Sequence, residues 1–372
     1  MAKAIVCVSN DLYTDQRVHK VCLFLLTQGY SVQLVGRKRK NSPEMDERPY
    51  ATHRMKLLFE TGAKFYAFFN LRLFFFLLFR KCDLIVSNDL DTLLACHTAK
   101  RWKRKTRLVY DSHEYFTEVP ELTSRPRVQK IWLRIERRIF PKLESVYTVN
   151  NSIAAIYRSL YGKEVKVVRN ISPCWNGDRL MSKAELGIPE NKALVILQGA
   201  GINVDRGAEE AVEAMQGIDA VLMIVGDGDV VPQLKERVAE LHLEEKVLFY
   251  GKKPYTVMMN YTQHADIGLT LDKATNLNYR LSLPNKVFDY MHAGTVVVAS
   301  DVQEVAAVVR KHKIGEIIEN LDVDSLRTVL NNLLMDPELL AVYKTNSLKA
   351  AETENWENET RILAEIYPRI AS

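Results

Sequence analysis

Several features are scarce in this chain, and each scarcity removes a class of protein. Its 372 residues include five cysteines (Cys7, Cys22, Cys82, Cys96, Cys174), odd in number and never in CxxC spacing. That usage fits a reducing compartment and argues against a disulfide framework or a structural zinc site. No apolar run reaches the roughly 20 residues that a membrane span needs. The most apolar stretch, residues 65–79 (FYAFFNLRLFFFLLF), is interrupted by Asn70 and Arg72. The opening MAKAIVCV runs directly into a strand pattern and lacks the apolar segment of a signal peptide. No GxGxxG follows that strand, which argues against a dinucleotide site there.

What is present describes a globular protein long enough for two cored domains, with 47% hydrophobic and 26% charged residues. The net charge of +5 conceals an asymmetry. Residues 1–175 carry 31 Lys+Arg against 16 Asp+Glu, and the remainder 20 against 30. A partner of negative charge is therefore expected for the first half only. Its cations fall in clusters. Residues 100–105 (KRWKRK) and Arg107 surround Trp102, and residues 127–140 place Val128, Ile131, Trp132, Ile135 and Ile139 on one helical face with Arg127, Lys130, Arg134, Arg137 and Arg138 on the rest. With the phenylalanine run, these clusters favour peripheral contact with an anionic membrane over nucleic acid, since no nucleic-acid-binding module accompanies them. For residues 65–79 the competing reading is a buried helix.

The apolar pattern predicts alternating strands and helices. Strands are expected near residues 4–9, 32–35, 84–87, 108–110, 145–149 and 165–168, then 193–197, 220–225, 247–250, 267–271, 296–300 and 314–318. Residues 170–192, with two Pro and two Gly, read as a linker. The fold expected is α/β, with two Rossmann-like βαβ domains facing across a cleft. The domains run over residues 1–172 and 188–354, with residues 355–372 packing back on the first.

Two strand ends stand out in the first half. Asn10-Asp11 closes the first strand, and Asp111, His113 and Glu114 follow the strand ending near Tyr110. Ligands of open α/β sheets bind at such carboxyl ends. In the second half, the turn Gly199-Ala200-Gly201 leads through Arg206-Gly207 into a helix. Ser282-Leu283-Pro284-Asn285-Lys286 opens another helix that ends at Gly294. Unpaired amides at such a helix start suit a phosphate, Lys286 adds charge, and Asp289 is spaced to accept sugar or ribose hydroxyls. An ordinary capped helix packed on a sheet is the alternative.

Taken in order, the motifs resemble those of GT-B glycosyltransferases of glycosyltransferase family 4, which are retaining and use nucleotide sugars. These are Asn10-Asp11, Asp111-Ser112-His113-Glu114, Arg206-Gly207, Val225-Gly226-Asp227-Gly228, residues 247–251 (VLFYG) and residues 283–294 (LPNKVFDYMHAG). The resemblance implies that Arg206 grips the donor diphosphate. It also implies that Ser282, Leu283, Pro284, Asn285 and Lys286 hold the distal phosphate, that Asp289 holds the ribose, and that Gly251 and Lys252 flank the base. Gly199 and Gly226 form donor-side turns. His113 stands near the transferred sugar, oriented by Asp111 or Glu114, with Asn10 and Asp11 on the acceptor side.

Three positions depart from the family pattern. Leu281 replaces the acid eight residues before Asp289, Asp289 replaces the commoner Glu, and Ala200 replaces an Arg. The implied activity is retaining transfer from a UDP- or GDP-linked sugar to a hydroxyl on a lipid-linked or oligosaccharide acceptor, at the inner face of the membrane and without cofactor or metal. Asp89-Leu90-Asp91 and Asp227-Gly228-Asp229 match a metal-binding DxD literally, but three-residue matches arise by chance. The rival readings are a nucleotide-sugar epimerase or phosphorylase, and a non-catalytic nucleotide-sugar-binding partner of a transferase.

Overall fold

Every central strand of this protein is apolar on both sides, which only a sheet covered on both faces can bury. The alternation is plainest in residues 194–197. Leu194 and Ile196 join one core cluster, and Val195 and Leu197 join the other. Facing strands extend the split, with Leu222 and Ile224 against Val221 and Met223, and Val296 and Val298 against Val297 and Ala299. Successive strand side chains point to opposite faces, so one sheet carries two cores.

The computed structural model describes residues 1–13, 15–175, 180–199 and 201–370. It divides into two units, residues 1–169 with 359–372, and residues 170–358. The first holds strands β1 (Lys3–Asp11), β2 (Ser31–Lys38), β3 (Ala51–Lys56), β4 (Leu84–Asn88), β5 (Arg107–Ser112), β6 (Ser145–Thr148) and β7 (Lys166–Val167) in the order 3-2-1-4-5-6-7. The second holds β8 (Ala193–Gly199), β9 (Ala220–Gly226), β10 (Val247–Phe249), β11 (Ile267–Thr270), β12 (Val296–Ser300) and β13 (Gly315–Ile318), ordered 10-9-8-11-12-13. All pairings are parallel. Both orders reverse once, at β1/β4 and at β8/β11, and a crevice opens at the carboxyl edge of such a switch point.

Strand β3 (ATHRMK) is absent from the sequence-based expectation. It pairs only with β2, at the sheet edge, so it needs no apolar run; of its six residues only Met55 is buried.

The phenylalanine run is a helix, Gly62–Leu78. It buries Phe65, Phe69, Leu73 and Leu77 but leaves Leu71, Phe75 and Phe79 exposed. Its Asn70 is locked to the helix Leu90–Trp102, donating to the Asp91 carbonyl at 2.7 Å and accepting from the Ala95 N–H at 3.1 Å. Tyr66 meets Trp132 of the helix Pro126–Ile139 edge-on, ring centres 5.2 Å apart. That helix departs from its expected apolar face, because Ile131 is exposed and Glu136 is buried. The Tyr161 hydroxyl donates to Glu136 at 2.6 Å, and burial raises the carboxyl to about 7.

The C-terminal segment joins the first unit. Arg169 pairs with Glu359 at 2.6 Å, Tyr147 and Tyr367 hydroxyls meet at 3.2 Å, and the Ile370 N–H donates to the Gln28 carbonyl. No helix among the described residues is long and apolar enough to cross a membrane.

In the second unit the turns after β8 and β9 press together. A Cβ on Gly226 would lie 1.9 Å from the Gly199 carbonyl oxygen, and one on Gly228 2.1 Å from that of Ile202. Backbone on both sides leaves no room to yield. Gly226→Ala is expected to cost about 2–3 kcal/mol, read as a lower urea midpoint.

Candidate active site

In the second unit three charged side chains converge at the carboxyl edge of β8 and β11. Gly207, at φ +71°, presses the loop after β8 onto Leu271, where a Cβ would come within 2.3 Å. This close approach carries Arg206 to the exit of β11. There its Nη1 lies 2.6 Å from Asp272 Oδ2, and its guanidinium stacks 4.2 Å from the centre of the Tyr279 ring. Asp272 is buried, and among the described residues its second oxygen finds no partner, nor does Arg206 Nε.

Lys286 opens the helix Lys286–Ala293. Its ammonium forms no hydrogen bond or ion pair among the described residues. Burial lowers its pKa; Asp272 opposes the shift and Arg206 adds to it. The backbone N–H groups of Leu283, Asn285 and Lys286 likewise have no partner among the described residues, and Ser282 Oγ is buried without one. Two cations, one carboxylate and a row of free donors at a helix N-terminus make a site for an anion with several oxygens.

Asp289 lies deeper in the same helix and is engaged by the protein. Its Oδ1 accepts from Ser172 at 2.6 Å and Tyr255 at 3.1 Å, and its Oδ2 accepts from Gln198 at 3.1 Å. Gln198 is in turn fixed by the Thr262 hydroxyl. Leu281, in the place of the family's first acid, is buried. Gly199 and Gly226 stand opposite each other in the β8/β9 register, Gly251 takes φ +67° just beyond β10, and Lys252 is exposed. Ala200 lies outside the described residues.

The first unit gathers a second cluster at the ends of β4 and β5. His113 Nδ1 is 3.3 Å from Asp89 Oδ2, and its Nε2 is 3.2 Å from Asp111 Oδ2 and 3.1 Å from Asn88 Oδ1. The His113 backbone N–H donates to Asp89 Oδ1 at 2.8 Å. Asp111 is fully buried and takes two hydrogen bonds from Arg17, at 2.7 and 3.0 Å, while Arg17 also donates to the Val168 carbonyl. Burial works against the Asp111 charge, but Arg17 and His113 outweigh it and hold the carboxyl near 2. Burial likewise opposes the imidazolium, and Asp89 and Asp111 overcome it, raising His113 to about 9. Burial pushes Asp89 upward, against His113 and aided by Glu114 and Asp91. Asp91 accepts from the Ser9 hydroxyl.

Of the orienting partners expected for His113, the structure supplies Asp111; Glu114 acts on Asp89 and Asp91 through its charge. In the sequence Asp89 reads only as half of a chance DxD. Its signal was position, since Asn88-Asp89 ends a buried strand just as Asp111 does. Asp89 also takes φ +56°, an uncommon conformation outside glycine. Arg17 gave no signal, because a lone Arg in an amphipathic helix reads as solvated. Asn10 and Asp11 are placed elsewhere. Asn10 is exposed, and Asp11 pairs with Arg54 of β3 at 3.0 Å and accepts from Ser42.

Replacing Asp89 with Asn removes one of the two charges that keep His113 protonated. The imidazole pKa, followed by NMR of the ring, is expected to fall from about 9 by at least one unit in Asp89→Asn. The same group links charge to stability. A raised histidine stabilises the fold fully below its ordinary value of 6.5 and loses that contribution as pH climbs through about 9. His113→Gln is therefore expected to flatten stability against pH over that window.

Comparison with known proteins converges on one family. Residues 14–171 match the model of Glycosyltransferase Family 4, and residues 178–350 that of Glycosyl transferases group 1. The amylovoran biosynthesis glycosyltransferase AmsK of Erwinia amylovora is 27% identical over 187 residues, 49% of this chain and 46% of that protein. The chain thus matches about half the length of this curated relative. Among solved structures, sucrose-phosphate synthase of Thermosynechococcus elongatus superposes with a TM-score of 0.78 at 17% identity, covering 99% of this chain and 98% of that one. WaaG, a glycosyltransferase involved in lipopolysaccharide biosynthesis, gives 0.71 at 16%, covering 98% and 99%. Alr3699/HepE of Anabaena, in complex with UDP-glucose, gives 0.72 at 15%, covering 98% and 100%. With a family model on each unit and this two-sheet architecture, the chain has the GT-B fold and resembles the glycosyltransferases of family 4.

Proposed function

We propose that this protein transfers a hexose from a nucleotide-diphosphate sugar to a hydroxyl of a surface-polysaccharide or lipid-linked precursor, with retention at the anomeric carbon. The observation that carries the reading is the convergence of Arg206, Lys286 and the amides of Leu283, Asn285 and Lys286, unpaired among the described residues, on one edge of the second sheet. When the bond from the anomeric carbon to the diphosphate breaks, its electron pair stays on the phosphate oxygen. These preorganised donors stabilise that charge without a metal. The acceptor oxygen bonds to the same face of the sugar, and its proton passes to the departing phosphate. His113, with both ring nitrogens directed at protein acceptors, is a fixed cation that orients the sugar through its charge rather than a base. Asp289 reaches the ribose by sharing oxygens that already accept from Ser172, Tyr255 and Gln198. UDP is the favoured nucleotide, since HepE, a protein of similar fold, was captured with UDP and with UDP-glucose.

The lipid side of the proposal rests on the first unit. Phe79 and Trp102 are 80% and 73% exposed, and Leu71, Phe75 and Ile131 join them on the three packed helices. Arg72 and Arg80 sit over the rings of Phe68 and Phe76. Aromatic side chains fringed by arginine suit the interface of an anionic bilayer.

Thermal shift against UDP, GDP, ADP, CMP and TDP tests the donor site. A nucleotide at 100 times its dissociation constant stabilises by about 2.7 kcal/mol. One responder is expected, lost in Lys286→Ala and kept in His113→Ala, which abolishes transfer to the acceptor. No response to any nucleotide refutes the donor site, and turnover retained in His113→Ala refutes the orienting role. On vesicles containing phosphatidylserine, Phe75→Asp with Phe79→Asp is expected to weaken co-sedimentation about tenfold with no loss of melting temperature. Unchanged binding refutes the lipid contact through this helix.

A further inference from the structure

The opposite, amino edge of the first sheet holds a cavity of about 420 Å³ between the end of the helix Leu90–Trp102, the start of β5 and the turn before β6. Its lining carries His97, Lys100, Arg101, Arg104 and Lys142, with Glu144 as the acid among them, over a floor of buried Leu108 and Leu143. Glu144 is taken by Lys100 at 3.1 Å. Among the described residues, Arg101, Arg104 and Lys142 have no ion pair. Part of this charge has a local explanation, because Lys100 and Arg101 complement the negative end of their own helix. Arg104 lies beyond that helix and is not explained that way, and Lys142 comes from a different segment, the 3-10 turn Phe140–Lys142. The field they make is felt inside the cavity. Burial lowers the pKa of His97, and Lys142, Arg101 and Lys100 lower it further, leaving a neutral ring beside the cations. Like charges on one concave surface repel until an anion enters.

We propose that this cavity is a binding site for a phosphate group, either free or as the phosphomonoester headgroup of an anionic lipid. It stands at the end of the sheet away from Asp111 and His113, so its occupant does not compete at the acceptor-side cluster. The neighbouring exposed Trp102 suits the lipid source, and an indole at the headgroup level is a common anchor.

The test compares the full chain with the double variant Arg104→Glu, Lys142→Glu, whose side chains are both exposed. Lys286→Ala is carried in both proteins, so the second unit's cation adds no phosphate site. Calorimetry uses inorganic phosphate. Co-sedimentation uses vesicles of phosphatidylcholine with phosphatidic acid, or with phosphatidylserine at equal surface charge. If the site takes free phosphate, calorimetry shows binding that the variant weakens about tenfold or more. If it takes a lipid headgroup, only the vesicles bind, and the variant loses about tenfold on phosphatidic acid but little on phosphatidylserine. Equal losses on both lipids mean general surface charge and overturn the proposal. Unchanged affinity in the variant, or no binding of either probe by the parent protein, overturns it as well. Matching near-ultraviolet circular dichroism shows that the variant is folded.

Discussion

A strand buried on both faces has no place for a charged side chain until it leaves the sheet. The structure depends on this constraint, because both units are built on such strands. Polar residues therefore accumulate at the carboxyl edges, as Asn88-Asp89 and Asp111 in the first unit and Asp272 in the second. There each meets loops entering from elsewhere in the chain.

A buried carboxylate at a strand end requires a cation, and both units meet the requirement alike. Arg17, from the helix after β1, clamps Asp111 at the end of β5. Arg206, from the loop after β8, clamps Asp272 beyond β11. The consequences differ. The Arg17–Asp111 pair is closed, with both carboxylate oxygens bonded to the guanidinium, and its spare negative field falls on His113. Among the described residues the Arg206–Asp272 pair is open, with a free oxygen on one partner and a free nitrogen on the other, and Lys286 stands nearby without an ion pair. One pair fixes a charge and the other leaves room for a ligand. A lone buried pair is a poor source of stability, which makes specification of the site the better account of both.

The departures in the second unit follow from packing. Leu281, where the family pattern has an acid, is buried and adds apolar surface to the unit. Asp289 is shorter than Glu, and its oxygens are held by Ser172, Tyr255 and Gln198. It therefore anchors the helix start to the chain entering the unit, besides any role toward ligand. Tyr279, stacked on Arg206, holds the guanidinium in its orientation without using its remaining donors.

Some of this was determined by sequence alone. Runs such as residues 193–197 and 296–300 dictate buried parallel strands, because no other element buries so short an apolar stretch on two sides. The motif order placed Arg206, Lys286 and His113 at strand or helix ends. Other features were decided only in three dimensions. Strand β3 has no apolar signature, since an edge strand needs none. Asp89 and Arg17 lie 24 and 94 residues from the partners that give them meaning. The pattern of residues 127–140 put Ile131 on the apolar face, yet it is exposed, while Glu136 is buried and bonded to Tyr161. Periodicity reports which face of an element is apolar. Which charges meet depends on the order of strands in the sheet, and that order is a property of the folded chain.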